Sequence, residues 1–127
     1  MNAANTCLAT ALALATAADA FACGACIEDK VAATYDHAVI ARAAAHHRIV
    51  VFAAVDGPGD AVESAKTLVG AAARVPGVDR TSIRAAAAPR ALSFALDPRA
   101  VSPEKALAAI EKGAAHGLRL ALIRVMS

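Results

Sequence analysis

Ile49-Val50-Val51-Phe52-Ala53-Ala54-Val55 decides how this chain folds. A continuous apolar run rich in β-branched residues reads as a buried central strand, and Asp56-Gly57-Pro58-Gly59 closes it with a turn. Asp60 then stands as the N-cap of a helix reaching Arg74, with Val62, Ala65, Leu68, Val69 and Ala72 on one face and Pro76-Gly77 ending it. Val78 to Ala86 and Ala91 to Leu96 read as two strands of a hairpin joined around Ala88-Pro89-Arg90. Ser102-Pro103-Glu104 opens another helix, with Ser as cap and Pro in the first turn. Its apolar face is Ala106, Leu107 and Ile110, and Gly113 to Gly117 breaks it. Leu118 to Val125 supplies a last strand. Ahead of the central strand, residues 27 to 47 read as one helix, with Ile27, Val31, Tyr35, Ala38 and Arg42 at helical spacing and no Gly or Pro to interrupt them. Glu28 and Asp29 in its first turn, and Arg42, His46, His47 and Arg48 at its end, suit the helix dipole.

The expected class is therefore α+β. It is a ferredoxin-like β-α-β-β-α-β order, an antiparallel sheet with helices on one face, preceded by an extra N-terminal helix. The expected organisation is a signal peptide over 1–22, a helix bearing two cysteines over 23–47, and one domain over 48–127. At 127 residues and 12.7 kDa, one core is what the chain can bury. Hydrophobic residues make up 58% but aromatics only 3%, so that core is thin and built from Ala, Val, Leu and Ile. A net charge of +2 excludes a strongly basic nucleic-acid binder and an acidic disordered tail. The scattered cations also lack aromatic stacking partners for RNA.

Cys7 to Ala18 is uncharged and apolar, too short to span a bilayer stably, and leads into Ala20-Phe21-Ala22, an A-x-A cleavage signature. That pattern predicts export, with the periplasm the expected compartment. Cleavage after Ala22 makes Cys23 the first residue and leaves Cys23 and Cys26 as the only thiols. Lipidation of Cys23 is the lesser expectation, because Ala20 and Phe21 do not make a lipobox.

From 49 to 125 the chain resembles the heavy-metal-associated domain of metallochaperones, periplasmic mercury-binding proteins and metal-transporting ATPases. The segments that carry the resemblance are Val75-Pro76-Gly77-Val78, Leu96-Asp97-Pro98, and Val101-Ser102-Pro103-Glu104-Lys105-Ala106-Leu107 followed by Ala109-Ile110-Glu111-Lys112-Gly113. It implies a small carrier or sensor of soft metals, with a metal transporter or metal-resistance protein as partner. That family holds its metal with two cysteines in the loop after the first strand. Here the matching positions are Asp60 and Glu63, hard oxygen donors that do not select Cu(I), and Asp60 reads instead as a helix cap.

The thiols stand elsewhere, in Cys23-Gly24-Ala25-Cys26, and two thiolates at this spacing at a helix start converge on one ion. Cys23 and Cys26 are thus the candidate metal ligands. Cu(I) leads over Zn(II), because two ligands satisfy near-linear Cu(I) while a tetrahedral ion needs more, which a homodimer would supply. An isolated C-x-x-C equally fits thiol–disulfide exchange or a structural disulfide. A further alternative is an interaction module that has lost its metal. Other candidates are weaker: His46 and His47 diverge on a helix, His37 lies about three turns from Cys26, and His116 and Met126 read as a helix cap and as packing. Tyr35 and Asp36 read as packing, and no nucleophile with its base, phosphate loop or H-E-x-x-H is present, so an enzyme is not expected.

Overall fold

A strand without polar residues needs cover on both sides, and the run from Ile49 has it. The computed structural model describes residues 27–114 and 117–127. In chain order these form α1 (27–34), α2 (His37–Ala45), β1 (Ile49–Asp56), α3 (Ala61–Ala73), a 3₁₀ turn (Arg80–Ser82), β2 (Arg84–Ala87), β3 (Arg90–Leu96), α4 (Pro103–Ala114) and β4 (Arg119–Met126). The four strands make one antiparallel sheet in the order β2-β3-β1-β4. The architecture is α+β and compatible with a ferredoxin-like class. Because neighbours alternate in direction, β1 and β2 run the same way with β3 between them, and β3 and β4 do so with β1 between them.

Period-2 alternation sorts the side chains of β1 and β3 between two cores. On the front face Val51, Leu92 and Phe94 meet Leu68 and Ala72 of α3 and Leu107 and Ile110 of α4. On the back face Val50, Phe52 and Ala95 meet Val31 of α1 and Val39 and Ala43 of α2. The N-terminal helices therefore cover the side of the sheet that α3 and α4 leave free. Among the described residues no helix is long and apolar enough to cross a membrane.

Local chemistry corrects four expectations. The helix expected over 27–47 is two, because Asp36 is extended and its carboxylate accepts hydrogen bonds from the Ala38 and Val39 N–H groups, starting a new helix. This break turns the buried face to Val31, Thr34, Val39 and Ala43, and leaves Tyr35 exposed. The strand expected from Val78 is only a bridge there. Asp79 caps the 3₁₀ turn, Ser82 Oγ takes the Ala95 N–H at 2.7 Å, and β2 shrinks to four residues. On α3, Val62 is 53% exposed and Val69 is also exposed, while Ser64, Leu68, Ala71 and Ala72 turn inward. Finally α4 runs through Gly113 to Ala114. Ala106, Leu107 and Ile110 are buried as the spacing requires.

Candidate functional site

Two places bear on metal chemistry: the loop after β1 and the approach to α1. In the loop, Gly57 and Gly59 have φ of +132° and +95°, values that side chains with a Cβ rarely adopt. Close approach reinforces the requirement at 57, where a Cβ would lie 2.9 Å from the Gly117 carbonyl oxygen. The loop is thus pressed against the turn before β4. A cavity of about 410 Å³ opens beside it, lined by Pro58, Asp60, Glu63, Ser64, Thr67 and Leu118 among others.

The oxygens of this loop are already engaged. Asp60 Oδ1 accepts from the Glu63 N–H at 2.9 Å, as a helix cap does, and Glu63 pairs with Lys66 at 3.4 Å. From below, Arg90 Nη1 donates to the Gly57 carbonyl at 2.7 Å, while its Nε and Nη2 are buried and make no hydrogen bond among the described residues. A fixed guanidinium under the loop opposes a cation there. The loop offers hard donors, occupied, above a positive charge, and does not fit a soft metal ion.

Cys23 and Cys26 lie outside the described residues, as do the expected signal peptide and His116. What the structure describes is the helix they lead into. Glu28 of α1 receives both ends of the Arg124 guanidinium from β4, one contact at 3.1 Å. Arg124 draws the Glu28 pKa below its ordinary value, and Glu28 raises that of Arg124. At the C-terminal end of α1, the Thr34 carbonyl accepts from Ser93 Oγ of β3 at 3.1 Å. Two strand spacings separate β3 from β4, about 10 Å, and six helical residues rise about 9 Å. So the described part of α1 lies across the strands, with Glu28 over β4 and Thr34 over β3.

Asp36 ties the following turn down through Arg84 Nη2 at 3.1 Å, and this guanidinium, with the Val39 N–H, holds the Asp36 carboxyl below its usual pKa. His37, His46 and His47 are exposed, and the reversal after α2 puts His47 at φ +56°. Among the described residues no three His, Cys, Asp or Glu side chains are grouped to hold a metal ion.

The sequence reading did not find the Glu28–Arg124, Asp36–Arg84 and Arg90–Gly57 contacts. Only Asp36 had a local signal, since Tyr35-Asp36-His37 can be read as a helix start. The other pairings join residues 96 and 33 positions apart and exist only once the sheet is folded. No protein-family model matches this chain, and no curated protein or solved structure matches it either.

Proposed function

We propose that this is a small exported protein that binds a soft metal ion through Cys23 and Cys26, Cu(I) in preference to Zn(II). In this reading residues 1–22 direct export to the periplasm, 23–47 carry the thiols, and 48–127 form a ferredoxin-like domain of the heavy-metal-associated kind. The observation that carries it is the C-x-x-C that directly precedes, in sequence, helical residues 27–34, which are tied to the sheet by Glu28–Arg124 and by Thr34–Ser93. Two soft donors at this spacing suit a near-linear thiolate-bound ion, whereas the loop of Asp60 and Glu63 suits none. The split order, with α3 joining β1 to β2 and α4 joining β3 to β4, supports the ferredoxin-like assignment.

When bound, the ion is cargo, and the protein's own part is to supply the thiolates and present them. A metal transporter or metal-resistance protein is the partner such a carrier serves.

The experiment is a titration of the protein as it accumulates in an expressing host, its start fixed by mass spectrometry. It is reduced anaerobically and given Cu(I) or Zn(II). About one ion per chain or per two chains, lost in the Cys23→Ser, Cys26→Ser double variant, is the expected result. No binding by the reduced protein overturns the proposal. A measured reduction potential then separates a thiol–disulfide carrier from a module whose cysteines are dispensable.

A further inference from the structure

We infer that this protein pairs with a second copy of itself through the open edge of β2 and an exposed stripe of α3, joining two four-stranded sheets into one antiparallel sheet with the two α3 helices side by side on its front. The thiols take no part in this contact, so it stands or falls separately from the metal proposal.

Among the described residues β2 pairs only with β3. Which of its backbone groups that pairing uses follows from Ala95 of β3. Its carbonyl accepts from the Asp79 N–H at 3.0 Å and its N–H donates to Ser82 Oγ at 2.7 Å, so both groups point to the β2 side. Alternation along β3 turns Ser93 and Ala91 the same way, toward Arg84 and Ala86, and leaves Ala85 and Ala87 with their N–H and C=O groups directed out of the sheet. No Lys, Pro or bulge guards residues 85–87, the devices by which an edge strand is kept from pairing.

Above that edge α3 presents Val62, 53% exposed, and Val69, 37% exposed, two helical turns apart with Ala65 between them. Leu68 and Ala72 already bury the inward face of the same helix, so this second apolar stripe faces sideways, toward β2. A groove of about 440 Å³ runs between stripe and strand, lined by Val62, Ala65, Lys66 and Val69 on one side and by Ala85 and Ala87 on the other. The midpoint of the stripe thus lies beside Ala86, the midpoint of the two outward-directed residues.

One two-fold axis serves both elements, and this selects a second copy as the occupant. A two-fold antiparallel strand pair sets one residue opposite itself. With Ala86 on the axis, Ala85 meets Ala87 of the second copy and Ala87 meets its Ala85. Both residues share the front face, so sides match, and each such pair exchanges both of its N–H···O=C bonds. Ala85 on the axis would instead set Ala87 against Ile83, beyond the end of β2, and Ala87 on the axis would set Ala85 against Pro89, which has no N–H.

The same axis lays α3 antiparallel to α3 of the second copy. Val62 then lies beside Val69 of the other chain, twice over, and each Lys66 comes within about 3 Å, measured along the helix, of the level of the other chain's Glu63. The rim of the contact is therefore complementary in charge. Spacing agrees as well. Because α3 packs over β2 and β3, its axis stands about one strand spacing from the two-fold, and the two helices are about 10 Å apart, as packed helices are. A foreign strand would take the hydrogen bonds of β2 and leave Val62 and Val69 in water.

The test uses the whole protein, kept reduced and free of metal, and reads its mass by sedimentation equilibrium over a range of concentrations together with hydrogen exchange. A dimer is expected, with the Ala85 and Ala87 amides protected in the dimer and exchanging freely in the monomer. Val62→Lys alone and Val69→Glu alone, each checked for an unchanged circular dichroism spectrum, are expected to raise the dissociation constant about 100-fold, because each sets a charge against a valine of the other copy at both contacts. The two substitutions together set Lys opposite Glu and are expected to tighten the dimer again about tenfold. A monomer at every concentration overturns the pairing, and so does a dimer whose dissociation constant neither single substitution moves. A dimer weakened by each substitution and weakened further by the two together overturns the antiparallel setting of α3. Metal titration of the reduced protein is unaffected by any of these outcomes, so failure here and failure of the metal proposal are told apart.

Discussion

Among the described residues, α3 and α4 bury a cluster of sixteen residues on the front of the sheet that includes Phe94, Leu68 and Ile110, while on the back α1 and α2 are held by a cluster of six and by polar ties. The ties are Glu28–Arg124, Asp36–Arg84 and Ser93–Thr34. Apolar area scales the first attachment, whereas charge and hydrogen bonds supplement the second. The front face is therefore expected to be the foundation of the domain, and the back pair of helices a superstructure that opens before it. In the reading proposed here the thiols directly precede that part in sequence.

The comparison is tested most severely at Phe94, which is fully buried between the sheet and its helices. Phe94→Ala is expected to cost about 3–5 kcal/mol and to unfold sheet and helices together, as denaturant melts followed by circular dichroism and by hydrogen exchange will report. Val39→Ala on the back removes two methyl groups from the smaller cluster and is expected to cost about 2 kcal/mol. Its distinguishing sign is local: amides over 27–45 exchange faster while those of β1 and β3 stay protected. If both substitutions unfold the chain as one unit, the distinction between foundation and superstructure is wrong.

Ser93→Ala leaves the Thr34 carbonyl without its donor in a buried position, with an expected loss of about 1–2 kcal/mol, again confined to the N-terminal helices. Asp36→Ala removes both a helix cap and the Arg84 partner. A smaller fall in denaturation midpoint is expected, together with fraying at the start of α2 in hydrogen exchange.

Acid gives the smallest and most selective effect. Arg124 lowers the Glu28 pKa, and Arg84 with the Val39 N–H lowers that of Asp36. Stability from these carboxylates is complete above the unfolded-state range near about pH 4 and is lost as pH falls through their lowered folded values. Loosening of 27–45 is expected to begin below about pH 4 and to be flattened in a Glu28→Gln, Asp36→Asn double variant. Equal loosening of the front core over the same range would contradict the contrast.

Legibility in the sequence follows the same division. Ile49 to Val55, the Asp60 cap, and the Ser102-Pro103 start with its Ala106, Leu107, Ile110 face were readable because each rests on local periodicity or capping. The misread features were those that tertiary contacts decide. Asp36 breaks a helix that propensity alone would continue, and Val62 and Val69 give way to Ala71 because the approach of α4 selects a face rich in small residues. Of the candidate site, the thiol pair was visible as a motif. The helix that follows it was visible only as a pattern, and its tie to the sheet not at all, since Arg124 reaches Glu28 across 96 positions.

At the opposite end, the Gly57 α-carbon faces the Gly117 carbonyl so closely that no methyl group fits between them. Two loops distant in sequence thus share one steric allowance. Any descendant of this chain that places a side chain at 57 must also have shifted or lengthened the turn at 117. The two positions are expected to drift as a pair, and an insertion screen should find either loop tolerant only when the other is changed with it.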